Sequence, residues 1–182
     1  MNRKYVTASL AVAVAGTAIA LVPTLASASA PTTTATATAA PASQTSSTEL
    51  GTTHFLTLAA ADKAADAAIS ACLAKGYPVS VSVVDRDGNV ITQQRADTAT
   101  GATLQVSQGK ADAAVGFQVP SSEIQNLAAT DPGVIYIPGF SILPGGLPIT
   151  LDGSVVAGLG VSGSPTATID TSCATAGVNA IS

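Results

Sequence analysis

The stretch that decides the fold is residues 79–95, which read VSVSVVDRDGNVITQQR. Valine and serine alternate over 79–84, a pattern typical of a strand with one face buried. Asp87-Gly88 then signals a tight turn, because hairpin turns require a positive φ that Gly tolerates. Residues 90–95 return as the partner strand. The stretch therefore predicts a β-hairpin, and with it an antiparallel sheet.

Helices surround this hairpin in the predicted order of elements. Thr57 caps a helix predicted over residues 58–75, and Gly76 ends it. The other predicted elements are helices over 103–117, 121–128 and 166–180, and strands at 140–143, 147–151 and 154–161. Because the helices carry apolar stripes that need a sheet face for burial, we expect an α+β fold with a sheet of about five strands.

The chain divides into three segments by composition. Residues 1–28 have the basic start, apolar stretch and small-residue end of a secretory signal peptide, with cleavage favoured after Ala28. A retained N-terminal anchor is the alternative, since the apolar stretch is long enough to span a bilayer. Residues 29–52 are rich in Thr, Ala, Ser and Pro and predict a disordered linker. The folded domain is expected over 53–182, in a protein that is secreted and extracellular.

Charge and cysteine content exclude several classes of function. Beyond Arg3 and Lys4 of the predicted leader, five basic residues face eleven acidic ones, which argues against nucleic-acid binding. Two cysteines are too few for a disulfide scaffold or a four-ligand zinc site. His54 is the only histidine, and no G-x-S-x-G elbow accompanies it, so no nucleophile and base pair is evident.

Two sequence motifs have simpler interpretations than ligand binding. Gly158-Leu-Gly-Val-Ser-Gly163 fits the dinucleotide pattern G-x-G-x-x-G, but only about twenty residues follow it, too few for the βαβ unit that this site needs. We interpret these glycines as allowing a close approach to the strand. Residues 85–89 resemble the start of a calcium loop, yet position twelve of that loop would be Ala96, so a hairpin turn is favoured.

Four motifs together resemble the GlcG/HbpS-like family. They are Val83-Val84-Asp85-Arg86-Asp87-Gly88-Asn89, Lys110-Ala111, Pro138-Gly139 with Gly145-Gly146-Leu147-Pro148-Ile149, and Val156-Ala157-Gly158-Leu159-Gly160-Val161-Ser162-Gly163. The resemblance covers nearly all of residues 55–182, and the predicted leader makes the chain most similar to the secreted HbpS-like branch. It implies a profilin-like sheet with helices on both faces, a homo-oligomer, extracellular haem binding, and a role as accessory to a membrane sensor kinase.

The chain also departs from the family pattern. Where relatives often read Lys-Ala-x-Thr-Ala, residues 110–114 read Lys-Ala-Asp-Ala-Ala, so a hydroxyl near the expected ligand site is missing. The sequence has two glutamates and no E-x-x-E pair, so an iron site of that kind is not supported.

The resemblance implies a haem site near the loop 138–148 and the helix that carries Lys110. His54 is the first candidate for the iron ligand and Tyr136 the next, since haem iron is usually held by His, Cys, Met or Tyr. Lys110 would meet a haem propionate, and Gly145 and Gly146 would allow close approach of the backbone to the ligand. The alternatives are a solvated histidine and a solvated helix charge.

Cys72 and Cys173 are predicted to form a disulfide. They lie on the apolar stripes of the first and last helices, which pack side by side in the profilin-like arrangement that the resemblance implies. Export would place the pair in an oxidising setting. The alternative is two free, buried thiols.

Three functions follow as hypotheses. The first is a secreted haem- or tetrapyrrole-binding protein that acts in sensing or scavenging. The second is an extracellular partner-binding module without a cofactor. The third is an enzyme acting on a small metabolite.

Overall fold

The protein is described by a computed structural model over residues 51–182. The predicted signal peptide and nearly all of the predicted linker lie outside these described residues. The elements in chain order are α1 (Leu58–Leu73), β1 (Ser80–Asp85), β2 (Val90–Arg95), α2 (Ala102–Phe117), α3 (Ser121–Leu127), a 3₁₀ helix (Pro132–Tyr136), β3 (Gly146–Leu151), β4 (Ser154–Ser162) and α4 (Ala167–Asn179). Among them, no helix combines the length and hydrophobicity needed to span a bilayer.

The four strands form one antiparallel sheet in the order β2-β1-β4-β3. Both predicted hairpins are present, and the positive φ angles of Gly88 (84°) and Gly153 (77°) lie at their turns. The α+β class is confirmed, but the expected fifth strand at 140–143 does not form. Ser141 N instead donates to Gly109 O at 2.9 Å, so this segment lies on α2 and not in the sheet.

Helices cover both faces of the sheet, as the profilin-like expectation requires. One face carries the main core, in which Val81 and Val83 of β1 and Leu159 of β4 pack under α1 and α4. The other face is covered by α2. The prediction that only one face of β1 is buried is therefore wrong. Ser80 and Ser82 are fully buried, because α2 lies over the serine side of the strand.

The face under α2 is made of small side chains. A Cβ added at Gly158 would lie 2.5 Å from Ala111 O, and one added at Gly160 would collide with Ser107 O. Ser82 Oγ and Ser107 Oγ are hydrogen-bonded at 2.7 Å across the same interface. Gly158 and Gly160 of the G-x-G-x-x-G motif thus allow the α2 backbone to lie directly on the sheet.

The predicted disulfide joins the two helices of the main core. Cys72 of α1 and Cys173 of α4 are bonded, with their Cα atoms 5.6 Å apart and both residues fully buried. The bond closes a loop with a sequence separation of 101 residues.

Candidate functional site

Lys110 lies inside the domain. It is 2% exposed, and its Nζ donates to Asp170 Oδ2 and to Val161 O, each at 2.8 Å. Asp170 is itself 4% exposed, and its Oδ1 accepts hydrogen bonds from Ser164 N at 3.1 Å and Ser164 Oγ at 2.7 Å. Lys110 is therefore neither the propionate partner nor the solvated charge that the sequence suggested. It is half of a buried ion pair that ties α2 to α4.

Gly145 and Gly146 do provide a close approach of the backbone, but to the protein itself. A Cβ added at Gly145 would lie 3.0 Å from Lys110 Nζ and 2.9 Å from Val161 O. At Gly146 it would collide with Lys110 O. The space predicted for a ligand is thus filled by α2. In the structure these two glycines face α2 and not a ligand.

His54 and Tyr136 both lie at the surface, on different segments. His54 is exposed in the segment before α1, and Tyr136 is 79% exposed at the end of the 3₁₀ helix. Neither side chain makes a hydrogen bond within residues 51–182. Both side chains are open to a surface ligand, and the structure does not bring them together with Lys110. The two cysteines are bonded to each other and are not free to hold iron.

A groove along the outer side of α2 is lined by charged side chains as well as apolar ones, and we call it the α2 groove. It consists of two open depressions, of about 320 and 180 Å³, that share Asp112. Its lining residues are Gln105, Gln108, Gly109, Asp112, Val115 and Gly116 of α2, Arg86, Asp87 and Gly88 of the β1–β2 turn, and Gly139 and Phe140.

The floor of the α2 groove follows from residue spacing on the helix. Gly109, Asp112 and Gly116 occupy positions i, i+3 and i+7, which lie on one helix face. Both glycines make room for the loop: a Cβ at Gly116 would lie 2.7 Å from Phe140 Cζ, and one at Gly109 would lie 2.7 Å from Gly139 O. Asp112 is therefore the one ionisable side chain on this helix face. It lies between the two points where the loop with Gly139 and Phe140 contacts the helix.

Asp112 has an unusual environment for a carboxyl group. Its Oδ1 is buried and has no hydrogen-bond partner among the described residues. Burial raises the pKa of this carboxyl, and a side-chain hydrogen bond with Gln108 lowers it in part. Gly88 of the facing turn approaches closely, since a Cβ there would lie 3.7 Å from Oδ1. Sequence reasoning missed Asp112; the signal that marks it is the Gly-x-x-Asp-x-x-x-Gly spacing on a helix.

Arg86 brings a positive charge to one end of the groove. The turn that carries it is fixed by Asp85, whose Oδ1 accepts from Asp87 N at 2.9 Å and Asn89 N at 2.8 Å. Burial raises the pKa of Asp85, but the hydrogen bonds from the Asn89 side chain and from the backbone of the turn outweigh it and leave the pKa below its usual value. Arg86 Nη1 donates to Thr53 Oγ1 at 2.7 Å. The residue next to Thr53 is His54, so the N-terminal segment lies at the Arg86 end of the groove.

A second cleft lies between the segment before α1, the β3–β4 hairpin and the end of α4. It has a volume of about 180 Å³ and is lined mainly by apolar side chains, among them Phe55, Ile149 and Val178. None of the side chains that line it is charged. The described part of the chain also holds no cluster of three metal-ligating side chains.

Comparison with known proteins gives concordant matches. The family model described as "Haem degrading protein HbpS-like" matches residues 56–179. A crystal structure of a double mutant of HbpS from Streptomyces reticuli is 40% identical, with a TM-score of 0.76, over 79% of this chain and 98% of that one. An uncharacterized 15.0 kDa protein in the dhaT-dhaS intergenic region of Citrobacter freundii is 36% identical over 115 residues, which are 59% of this chain and 80% of that one.

A second solved structure, the complex of PduOC with haem, shares the fold. It has a TM-score of 0.65 at 22% identity, over 70% of this chain and 96% of that one. At this identity the likeness supports the architecture alone.

Proposed function

The chain belongs to the HbpS-like family, and on that premise we propose that it is a secreted haem-binding protein that senses or scavenges haem outside the cell. The observation that carries the proposal is the family match over residues 56–179, which spans almost the whole described domain. The predicted signal peptide at residues 1–28 supports export.

The residues of the structure fit haem as a surface ligand. His54 and Tyr136 supply the side-chain types that hold haem iron, and both are exposed. The α2 groove adds the Phe140 ring and the Arg86 guanidinium, which suit a flat apolar ring and a propionate. The second cleft, beside the segment before α1, has no charged side chain that could pair with a propionate. We therefore place haem along α2.

Each part of the chain then has a distinct task. Bound haem would supply redox-active iron; the chain's own residues bind and orient it. We assign His54 as the first candidate for the iron ligand, because Thr53 beside it is held to Arg86 at the end of the groove. Tyr136 is the second candidate, four residues before Phe140.

A hemin titration of the mature protein tests the proposal. We expect a saturable Soret band, and a shift of its maximum with at least tenfold weaker binding in His54→Ala or, if His54 is not the ligand, in Tyr136→Phe. Tyr77→Phe is the matched control, because Tyr77 follows α1 and does not line the groove. A titration that yields no saturable band would reject haem binding and leave a partner-binding module without a cofactor.

The name of the family model also raises the enzyme alternative. If the protein degrades haem, the Soret band of the complex will decay in air with ascorbate as reductant. We expect the band to persist, as a sensing or scavenging role requires.

The second part of the proposal concerns the oligomeric state, the partner and the export of the protein. We propose that it is a homo-oligomer, supported by the exposed apolar side chains of Ile135 and Leu143. We also propose that a membrane sensor kinase is its partner. Light scattering at micromolar concentration should give a multiple of the monomer mass. N-terminal sequencing of the protein from the culture medium should start at Ser29.

A further inference from the structure

Asp112 occupies the point where the two depressions of the α2 groove meet. Its Oδ1 is buried and has no hydrogen-bond donor among residues 51–182. An ionised carboxylate would leave one of its two charged oxygens desolvated and unpaired despite the hydrogen bond from Gln108, and such an oxygen costs more than a neutral one does. The geometry thus favours the neutral acid, in agreement with the direction in which burial moves the pKa.

A neutral carboxylic acid changes what the groove can recognise. An ionised Asp112 would only accept hydrogen bonds, whereas the acid carries one O–H donor. The complement of that donor is an acceptor such as a carboxylate, and a charged acceptor makes the stronger hydrogen bond. Arg86 at the rim of the same depression attracts the same kind of group.

Few other charged groups surround Asp112. From the β1–β2 turn it faces Arg86 and Asp87, and the loop at 139–140 brings no charged side chain. Lys110 on α2 is paired with Asp170 inside the domain. With Asp112 neutral, Arg86 and Asp87 balance each other, and the groove does not repel an anion.

We propose that Asp112 is a ligand-binding residue, which donates a hydrogen bond to a carboxylate of the molecule held in the α2 groove, with Arg86 as the opposite charge. The inference rests on the proposed function, because the carboxylates in question are those of the haem propionates. It specifies the recognised group: a carboxylate, bound together with one proton on Asp112.

Proton-coupled binding has a measurable sign. At any pH where Asp112 of the free protein is ionised, hemin binding must take up a proton. The Kd for hemin then rises by up to about tenfold for each unit of increase in pH. Replacement of Asp112 by Asn supplies an N–H donor of similar shape at every pH, and this dependence should then disappear.

The experiment is a hemin titration followed at the Soret band between pH 5.5 and 8.5, with the wild type, Asp112→Asn and Asp87→Asn. We expect the Asp112→Asn form to bind at least tenfold more tightly than the wild type at pH 8.5 and to lose the pH slope. Asp87→Asn, which removes the other acid of the groove, should keep that slope. Comparing the three forms at each pH cancels every pH effect that they share.

Haem dimethyl ester is the matched ligand, since it has no free carboxylate. Its Kd should be the same for the wild type and for Asp112→Asn, and Arg86→Gln should weaken hemin binding but not ester binding.

Three results would contradict us. If hemin binds but the wild type and Asp112→Asn have the same pH slope, Asp112 is not the donor and haem binding stands. If Asp112→Asn binds hemin more weakly at every pH, the aspartate acts as an ionised acceptor, and the inference is wrong. If no form binds hemin at any pH, both the proposed function and the inference fail.

Discussion

Neutralising Asp170 tests how much the buried ion pair contributes to stability. In Asp170→Asn, the single amide oxygen cannot accept from both Ser164 and Lys110, and the amide N–H₂ then faces another donor. Lys110 keeps only the carbonyl of Val161 and stays 2% exposed in the unrelaxed fold. Removing one charge from a buried pair costs about 3–5 kcal/mol, which is a large part of the roughly 5–15 kcal/mol that stabilises a domain.

Urea unfolding at pH 7, followed by circular dichroism, measures this loss. With an m-value of about 1.5 kcal/mol/M, the midpoint should fall by roughly 2–3 M. The control is the double variant Lys110→Met with Asp170→Asn, which removes both charges and keeps an apolar side chain in the space of Lys110. It should recover most of the loss, because no uncompensated charge stays buried.

The double-mutant cycle also decides between a structural and a ligand-binding Lys110. A structural lysine gives strongly non-additive changes in the free energy of unfolding. The reasoning is refuted if Asp170→Asn costs less than about 1 kcal/mol, a value typical of an exposed pair, or if the two single changes add up to the double.

Three further predictions concern stability. Replacing Cys72 and Cys173 together by Ala should lower the free energy of unfolding by at most about 4.7 kcal/mol, since the disulfide closes a loop of about a hundred residues. Thiol titration of the denatured, unreduced wild type should find no free thiol, and two free thiols per chain would disprove the bond. Gly146→Ala should lower the free energy of unfolding by at least 1–3 kcal/mol in urea, roughly the cost of overpacking, while Gly101→Ala, with nothing within 4 Å of its Cβ, should change it little. Because burial raises the folded-state pKa of Asp112 above its value in the unfolded chain, its contribution is full at low pH and lost as the pH rises through the folded pKa. Asp112→Asn should therefore raise the Tm at pH 7 and much less near pH 4; an equal change at both would contradict the assignment.

The candidate site was only partly predictable. The sequence pointed to the helix carrying Lys110 and to the loop 138–148, and the two do touch through Ser141 N and Gly109 O. It chose the wrong side of the helix, because nothing near Lys110 in the chain announces that Asp170, sixty positions away, is its partner. Asp112 was passed over because a lone aspartate in an alanine-rich helix is usually solvated, and only the covering loop and turn bury it.

By itself, the sequence determined what depends on neighbouring residues: the helices from their periodicity and caps, and both hairpins from their turn residues. It also determined the disulfide pairing once the family arrangement was assumed. Only the tertiary structure decided that α2 covers the serine face of β1 and that Gly145 and Gly146 contact Lys110. It also decided that residues 140–143 form a loop packed against α2 and not a strand of the sheet. Periodicity and turn chemistry act over a few residues, whereas burial is shared by segments far apart in the chain and exists only after they have packed.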